Sequence, residues 1–62
     1  MDSKQIAEAM RKRTPVMWRG RKYDRVLEYV MWFDNAGKRK LSAVLLDGRG
    51  SYRVPAEEVT EE

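Results

Sequence analysis

The stretch Tyr23–Asp34 is the sequence feature that most constrains how this chain can fold. It reads YDRVLEYVMWFD, so β-branched, aromatic and large apolar side chains dominate it and neither Gly nor Pro interrupts it. This composition is typical of a β-strand. Because the stretch is about twice the usual strand length of 5–6 residues, we predict one long strand that bends.

The size of the chain sets the second constraint. It has 62 residues with neither Cys nor His, so it forms at most one domain and has no disulfide. A chain this short buries only about 60% of its unfolded surface, and its stability is marginal. The usual Cys/His zinc sites are excluded. The fold therefore depends on one hydrophobic core or on oligomerisation.

The sequence also indicates where the protein works. Its N-terminus lacks the continuous apolar segment of a signal peptide, and no apolar run has the roughly 18 residues of a membrane-spanning helix. The absence of Cys fits a reducing compartment. We expect a soluble cytoplasmic protein with no membrane, metal or cofactor partner.

The N-terminal residues 1–14 are predicted to form a helical arm, with the helix itself over residues 2–13. Gln5 stands three residues after Asp2, which is the spacing of a capping box. Ile6 and Met10 lie four residues apart and form a narrow apolar stripe. A helix this short is marginal alone, so it either docks through that stripe or frays.

The remaining chain is predicted to be a β-meander over residues 15–60, followed by a loose end at residues 61–62. The predicted elements are strands at residues 16–19, 22–34, 38–46 and 51–54, a helical turn at 56–58 and a last half-strand from Val59. The register of the last hairpin stays open, because a change of one residue moves Tyr52 and Val54 to the other face.

The clearest local signal is the loop Asn35-Ala36-Gly37. A three-residue hairpin loop ends in a left-handed residue, which suits Gly37, and pairs Asp34 with Lys38. The resulting cross-strand pairs are Trp32–Lys40, Met31–Leu41, Tyr29–Ala43 and Leu27–Leu45. This register predicts a core made of the odd-numbered side chains, namely Leu27, Tyr29, Met31, Phe33, Leu41, Ala43 and Leu45.

The layout resembles that of the SH3-like small β-barrels. The resemblance covers residues 16–60 and rests on the bent strand Tyr23–Asp34, the hairpin loop and the segments Leu45–Gly50 and Tyr52–Val59. It implies a mainly β, SH3-like barrel of four or five antiparallel strands with a short N-terminal α-helix. The chain also resembles small uncharacterised proteins of bacteria and their prophages in layout. SH3-like barrels host nucleic-acid, peptide and structural roles, so the layout alone assigns no function.

The residues give no sign of catalysis. Without His or Cys, there is no side chain for proton transfer near neutral pH and no thiol nucleophile. The serines have no imidazole base, and the isolated glycines do not form a phosphate-binding loop. We expect an interaction module rather than an enzyme.

The distribution of basic residues points to nucleic acid. Between Arg11 and Arg25 there are seven bases and one acid, and three more bases follow the hairpin loop. These candidate contacts are Arg11, Lys12, Arg13, Arg19, Arg21, Lys22, Arg25, Lys38, Arg39 and Lys40, with Trp32 as a stacking surface. Basic grooves with aromatic platforms bind single strands in small barrels.

Other interpretations stay open. The charges could serve solubility alone, Lys40 could lie across Trp32 as a cation–π contact, and Trp18 and Tyr29 could belong to the core. The mixed apolar even-numbered face, with Val30 and Trp32, is the basis of the alternative function, a protein-binding or self-associating module.

Overall fold

The computed structural model describes residues 1–62 as one helix and six strands. The elements are α1 (Ser3–Lys12), β1 (Val16–Trp18), β2 (Arg21–Tyr23), β3 (Arg25–Phe33), β4 (Arg39–Asp47), β5 (Gly50–Pro55), a 3-10 turn (Ala56–Glu58) and β6 (Val59–Glu61). They form two three-stranded antiparallel sheets, ordered β2-β1-β6 and β3-β4-β5. The chain is therefore mainly β with one short N-terminal helix, as predicted, and no strand pairing joins the two sheets into a closed barrel.

The N-terminal helix begins with the predicted capping box. The Asp2 carboxylate accepts a hydrogen bond from the Gln5 backbone N–H (2.8 Å), and the Gln5 side chain accepts one from the Asp2 N–H (3.0 Å). Arg13 ends the helix in a left-handed conformation. Ile6 and Ala9 are buried, so α1 docks on the sheets instead of fraying. It is neither long nor apolar enough to cross a membrane.

The predicted long strand is divided into β2 and β3 at Asp24, and each part joins a different sheet. β2 pairs with β1 through a two-residue turn at Arg19 and Gly20, which have φ values of 51° and 76°. Positive φ at both central residues is the requirement of a type I′ turn, whose twist matches that of the flanking strands.

The β3–β4 hairpin has the predicted loop. Gly37 has a φ of 79°, and the Asp34 N–H donates to the Lys38 carbonyl (3.0 Å). The Asp34 carboxylate also accepts from the backbone N–H groups of Ala36 and Lys38 (2.9 Å each). Three predicted pairs are confirmed, namely Trp32–Lys40, Met31–Leu41 and Tyr29–Ala43.

The fourth predicted pair, Leu27–Leu45, is wrong. A β-bulge at Leu27 removes that residue from the ladder, and Val26 lies opposite Leu45 instead. A bulge inserts one residue and moves the side chains on one side of it to the other face. Val26 is consequently buried, whereas Leu27 is 37% exposed.

The structure fixes the register of the last hairpin. Tyr52 lies opposite Leu45 and Val54 opposite Ala43, so both belong to the core-facing side. The last strand, β6, runs to Glu61, which pairs with Val16 in the β1–β6 ladder.

The core contains ten side chains drawn from α1, from both sheets and from the 3-10 turn. They are Ile6, Ala9, Val16, Tyr23, Val26, Ala43, Leu45, Val54, Ala56 and Val59. The predicted core is therefore right for Ala43 and Leu45, while Leu41 is only partly buried. It is wrong for Tyr29, Met31 and Phe33, which are 40%, 50% and 64% exposed.

Strand length explains this difference. β1, β2 and β6 have three residues each, or about 10 Å, whereas β3 and β4 have nine residues each, or about 30 Å. The short sheet can cover only part of the long hairpin, so the loop-side half of the hairpin projects beyond the core. The molecule measures 35 × 22 × 17 Å as a result.

A pair of substitutions tests this division of the hairpin. We expect Leu45→Ala, at a fully buried position, to lower the free energy of unfolding by about 2–5 kcal/mol. Phe33→Ala, at a position 64% exposed, should change it by less than about 1 kcal/mol. Urea unfolding at low protein concentration measures both. An equally large loss for Phe33→Ala would mean that the whole odd-numbered face is core.

Candidate nucleic-acid interface

Sheet β3-β4-β5 has one face on the core and one face turned outward. Because side chains alternate along a strand, Val44, which lies between the buried Ala43 and Leu45, points away from the core. The residues at every second position from it on β4, and those paired with them, lie on the same side of the sheet. We call this second surface the outer face; it carries Arg25, Glu28, Val30, Trp32, Lys40, Ser42, Val44, Leu46, Ser51, Arg53 and Pro55. It brings one exposed aromatic ring, three bases (Arg25, Lys40 and Arg53) and one acid (Glu28) onto the same sheet surface.

Trp32 is held on the outer face by its indole N–H. Its Nε1–H donates a hydrogen bond to Ser42 Oγ (3.2 Å), and the side chain remains 40% exposed while Ser42 is 8% exposed. The bond uses the edge of the indole, so its π-faces take no part in it. The predicted cation–π contact between Lys40 and Trp32 is not present; such contacts occur at Trp18 and Tyr23 instead.

A groove of about 580 Å³ lies beside this indole, and we call it the hairpin groove. Its lining consists of Met1, Asp2, Ser3, Trp32, Arg39, Lys40, Leu41, Ser42, Pro55 and Glu57. The two bases lie on β4 and the two acids lie at the start of α1 and after β5. One wall is therefore basic and the other is acidic, so an anion would be held toward Trp32 and the hairpin loop.

The three bases that follow the hairpin loop form no ion pair. Lys40 shares the outer face with Trp32, which lies directly opposite it. Arg39 lies opposite Phe33, and strand alternation turns it to the other face. Lys38 lies at the loop, opposite Asp34. The predicted cluster is thus split, with Lys40 next to Trp32 and Arg39 across the sheet.

Most of the predicted bases between Arg11 and Arg25 are already engaged. Five of the seven form ion pairs, namely Arg11–Glu8 (2.7 Å), Lys12–Glu8 (3.1 Å), Arg19–Glu58 (3.3 Å), Arg21–Asp47 (2.8 Å) and Lys22–Glu62 (2.8 Å). Arg13 and Arg25 have no carboxylate partner. Carboxylates thus offset much of the positive charge that the sequence suggests here.

The titration of these groups reflects the pairing. Hydrogen bonds from Arg11 and then Lys12 lower the pKa of Glu8, and Glu8 raises the pKa of Arg11 in return. The hydrogen bond to Glu62 raises the pKa of Lys22. Each of the five paired bases thus has a carboxylate beside it.

Two of these arginines also cover aromatic rings. The guanidinium of Arg19 lies 4.9 Å from the Trp18 ring centre, and that of Arg21 lies 5.5 Å from the Tyr23 ring centre. Trp18 also donates its Nε1–H to Glu58 (3.2 Å), and Tyr23 packs against Tyr52 edge to face at 6.0 Å. This end of the molecule therefore uses its aromatic and basic residues for packing, whereas Trp32 has no cation over its ring.

A second groove, of about 550 Å³, lies between α1 and the chain end. Its charged lining mixes two lysines, Lys4 and Lys12, with three glutamates, Glu8, Glu61 and Glu62. The excess of acids makes it unsuitable for a polyanion.

Two residues of the outer face, Arg53 and Ser42, were not among the predicted site residues. Arg53 lies opposite Val44 on β5, is exposed and forms no ion pair. Strand alternation predicts that Arg53 points to the face opposite to Tyr52 and Val54. Because the register of the last hairpin stayed open, the sequence did not show which face of the sheet that is. Ser42 was missed because its partner, Trp32, is diagonal to it across the ladder.

No group of three or more His, Cys, Asp or Glu side chains is arranged to hold a metal ion. Comparison with known proteins adds no assignment, since the chain matches no family model, no curated protein and no solved structure.

The Trp32–Ser42 hydrogen bond can be tested in a Trp18→Phe background, where Trp32 is the single tryptophan. We expect Ser42→Ala to lower the free energy of unfolding by about 0.5–1.5 kcal/mol and to lower the fluorescence anisotropy of Trp32, because the indole loses its anchor. Ser51→Ala, which removes a hydroxyl of the same face that makes no hydrogen bond, is the control. Unchanged anisotropy in Ser42→Ala would contradict the anchoring.

Proposed function

We propose that this protein is a non-enzymatic interaction module that binds single-stranded nucleic acid on the outer face of sheet β3-β4-β5. The observation that carries the proposal is the Trp32 indole, half-exposed and fixed by Ser42, beside the unpaired base Lys40. A fixed ring loses little side-chain entropy when a base stacks on it, and stacking on an aromatic side chain is worth about 1–3 kcal/mol per base.

The free bases of the outer face suggest a path for the phosphates along β4 and β5, because the one acid of this face, Glu28, lies on β3. Arg53 lies one strand away from β4 and four residues along it from Lys40, which corresponds to about 14 Å. Lys38 extends the path at the loop. The acids Asp2 and Glu57 lie on the far wall of the hairpin groove and would keep a polyanion away from it. A strand would therefore run from the loop over Trp32 toward Arg53.

The chemistry favours a single strand over a duplex. Stacking on Trp32 requires a base whose face is free, and such bases occur in single strands, loops and ends. The site offers few charges, so the affinity should be modest and strongly dependent on salt.

We also propose that the fold is an open variant of the SH3-like layout. Supporting features are the strand order β2-β1-β6 and β3-β4-β5, the division of one long segment between the two sheets and the 3-10 turn before the last strand. The nine-residue hairpin strands extend past the short sheet, which carries Trp32 away from the core.

The first experiment is a titration of the Trp18→Phe protein with an unstructured oligonucleotide at low and at physiological salt. We expect quenching of Trp32 fluorescence and a log–log salt slope of roughly −0.7 per contacted phosphate. Trp32→Ala, followed by a label on the oligonucleotide, should weaken binding about 5- to 150-fold, the equivalent of about 1–3 kcal/mol.

Matched lysine substitutions locate the site. Lys40→Gln should weaken binding and reduce the salt slope by about 0.7, because one phosphate contact is lost. Lys4→Gln makes the same charge change on an unpaired lysine of α1, in the mixed-charge groove, and should leave the slope unchanged. Equal effects of the two substitutions would indicate non-specific attraction, and absence of binding at low salt would refute the proposal.

A further inference from the structure

β3 is an edge strand whose outer side has no backbone partner. It is first in the order β3-β4-β5, and no backbone hydrogen bond connects it to any element other than β4. α1 contacts β3 and shares the buried cluster with Val26, but it makes no backbone hydrogen bond to the strand. An edge with unpaired N–H and C=O groups is a template for a further strand.

The hairpin geometry shows which residues direct their backbone groups outward. The bond from the Asp34 N–H to the Lys38 carbonyl makes Asp34–Lys38 a hydrogen-bonded pair. Such pairs alternate along an antiparallel ladder, so the even-numbered residues of β3 after the bulge bond to β4. The N–H and C=O groups of Tyr29, Met31 and Phe33 consequently face the open edge.

The same three residues form an exposed apolar row, which we call the edge row. Tyr29, Met31 and Phe33 are 40%, 50% and 64% exposed, and the exposed fraction rises toward the loop. Natural edge strands are usually protected by Lys or Pro, and β3 has neither after its bulge. Unpaired backbone groups and exposed apolar side chains thus coincide at the same positions.

We propose that the edge row pairs with the edge row of a second copy of this chain in an antiparallel arrangement, which joins two sheets into one of six strands. Charge complementarity supports a second copy as the occupant. β3 starts at the base Arg25 and is followed by the acid Asp34. In an antiparallel pair, each cation therefore approaches the carboxylate of the other copy, whereas a parallel pair would bring like charges together.

The charges also select the register. With Val30 on the two-fold axis, Tyr29 lies opposite Met31 of the second copy. Because the bulged residue Leu27 has no place in the ladder, Arg25 then lies opposite Asp34 of the second copy. With Met31 on the axis, Glu28 would lie opposite Asp34 of the second copy. Like charges directly opposite each other destabilise a pair, so the arrangement centred on Val30 is favoured.

The first test is the mass of the protein in solution. Sedimentation equilibrium from about 10 µM to about 1 mM should show a monomer–dimer equilibrium. Met31→Lys should raise the dissociation constant of the dimer about tenfold or more, because it places a charge in the row, while the half-exposed position tolerates it in the monomer. Phe33→Lys, at a still more exposed position, is a second variant if Met31→Lys lowers the melting temperature.

The second test uses the absence of native cysteine. On the proposed axis, the two Val30 residues form a non-hydrogen-bonded pair with Cα atoms about 4.5 Å apart, within the range of a disulfide. Val30→Cys should therefore give a covalent dimer on mild oxidation. Val44→Cys lies on the same face of the central strand, about 14 Å or more from its counterpart across three strand spacings, and should not.

Each outcome decides the proposal. A protein that stays monomeric to about 1 mM, or a dimer that neither lysine substitution weakens, would overturn it. Equal crosslinking of the two cysteine variants would overturn the Val30-centred pairing. The proposal is independent of nucleic-acid binding, because Lys40→Gln should not change the mass and Met31→Lys leaves Trp32 and Lys40 in place.

Discussion

The burial of ten side chains between α1 and the two sheets holds this protein together. In a chain of 62 residues without cysteine, no covalent link supplements that contact. The helix contributes Ile6 and Ala9, while β1 and β6, from opposite ends of the chain, contribute Val16 and Val59. The terminal segments therefore complete the core. The part of the β3–β4 hairpin that the short strands do not cover lies at the surface.

Positive charge is abundant in the sequence but unevenly available in the structure. Near the N-terminus, five basic side chains are paired with carboxylates, and two of the arginines also cover aromatic rings. Exposed ion pairs add little stability, so their main effect is to offset charge. The three bases after the hairpin loop form no ion pair, and Lys40 lies beside Trp32, whereas only Arg13 and Arg25 stay unpaired among the seven bases from Arg11 to Arg25.

Much of the local structure could be predicted from the sequence because it depends on neighbouring residues. The capping box of Asp2 and Gln5 and the hairpin loop ending in Gly37 need only short-range chemistry, and both are present. The hairpin register followed from that loop as far as Tyr29. These features require no knowledge of what packs on them.

The incorrect predictions have a common cause, which is that they concern contacts between segments distant in the sequence. The bulge at Leu27 leaves no composition signal, because Val26 and Leu27 are both apolar and either could face the core. The extent of the core depends on the length of strands in the other sheet, which the β3–β4 sequence does not encode. The prediction of the candidate site has the same weakness. The sequence did not indicate a carboxylate partner for Arg19 or Arg21, but the fold brings Glu58 and Asp47 into contact with them.

The pairing of the two terminal strands has a consequence for the order of folding. Val16 pairs with Glu61, which is 45 residues later (61 − 16), whereas β3, β4 and β5 are joined by short turns. Closing a long loop costs more chain entropy than closing a hairpin, so we expect the meander to form first and β1–β6 last. Native-state hydrogen exchange should then show β6 opening without β4, and simultaneous opening would argue for a single cooperative unit. The last event of folding would thus be the joining of the two ends of the chain.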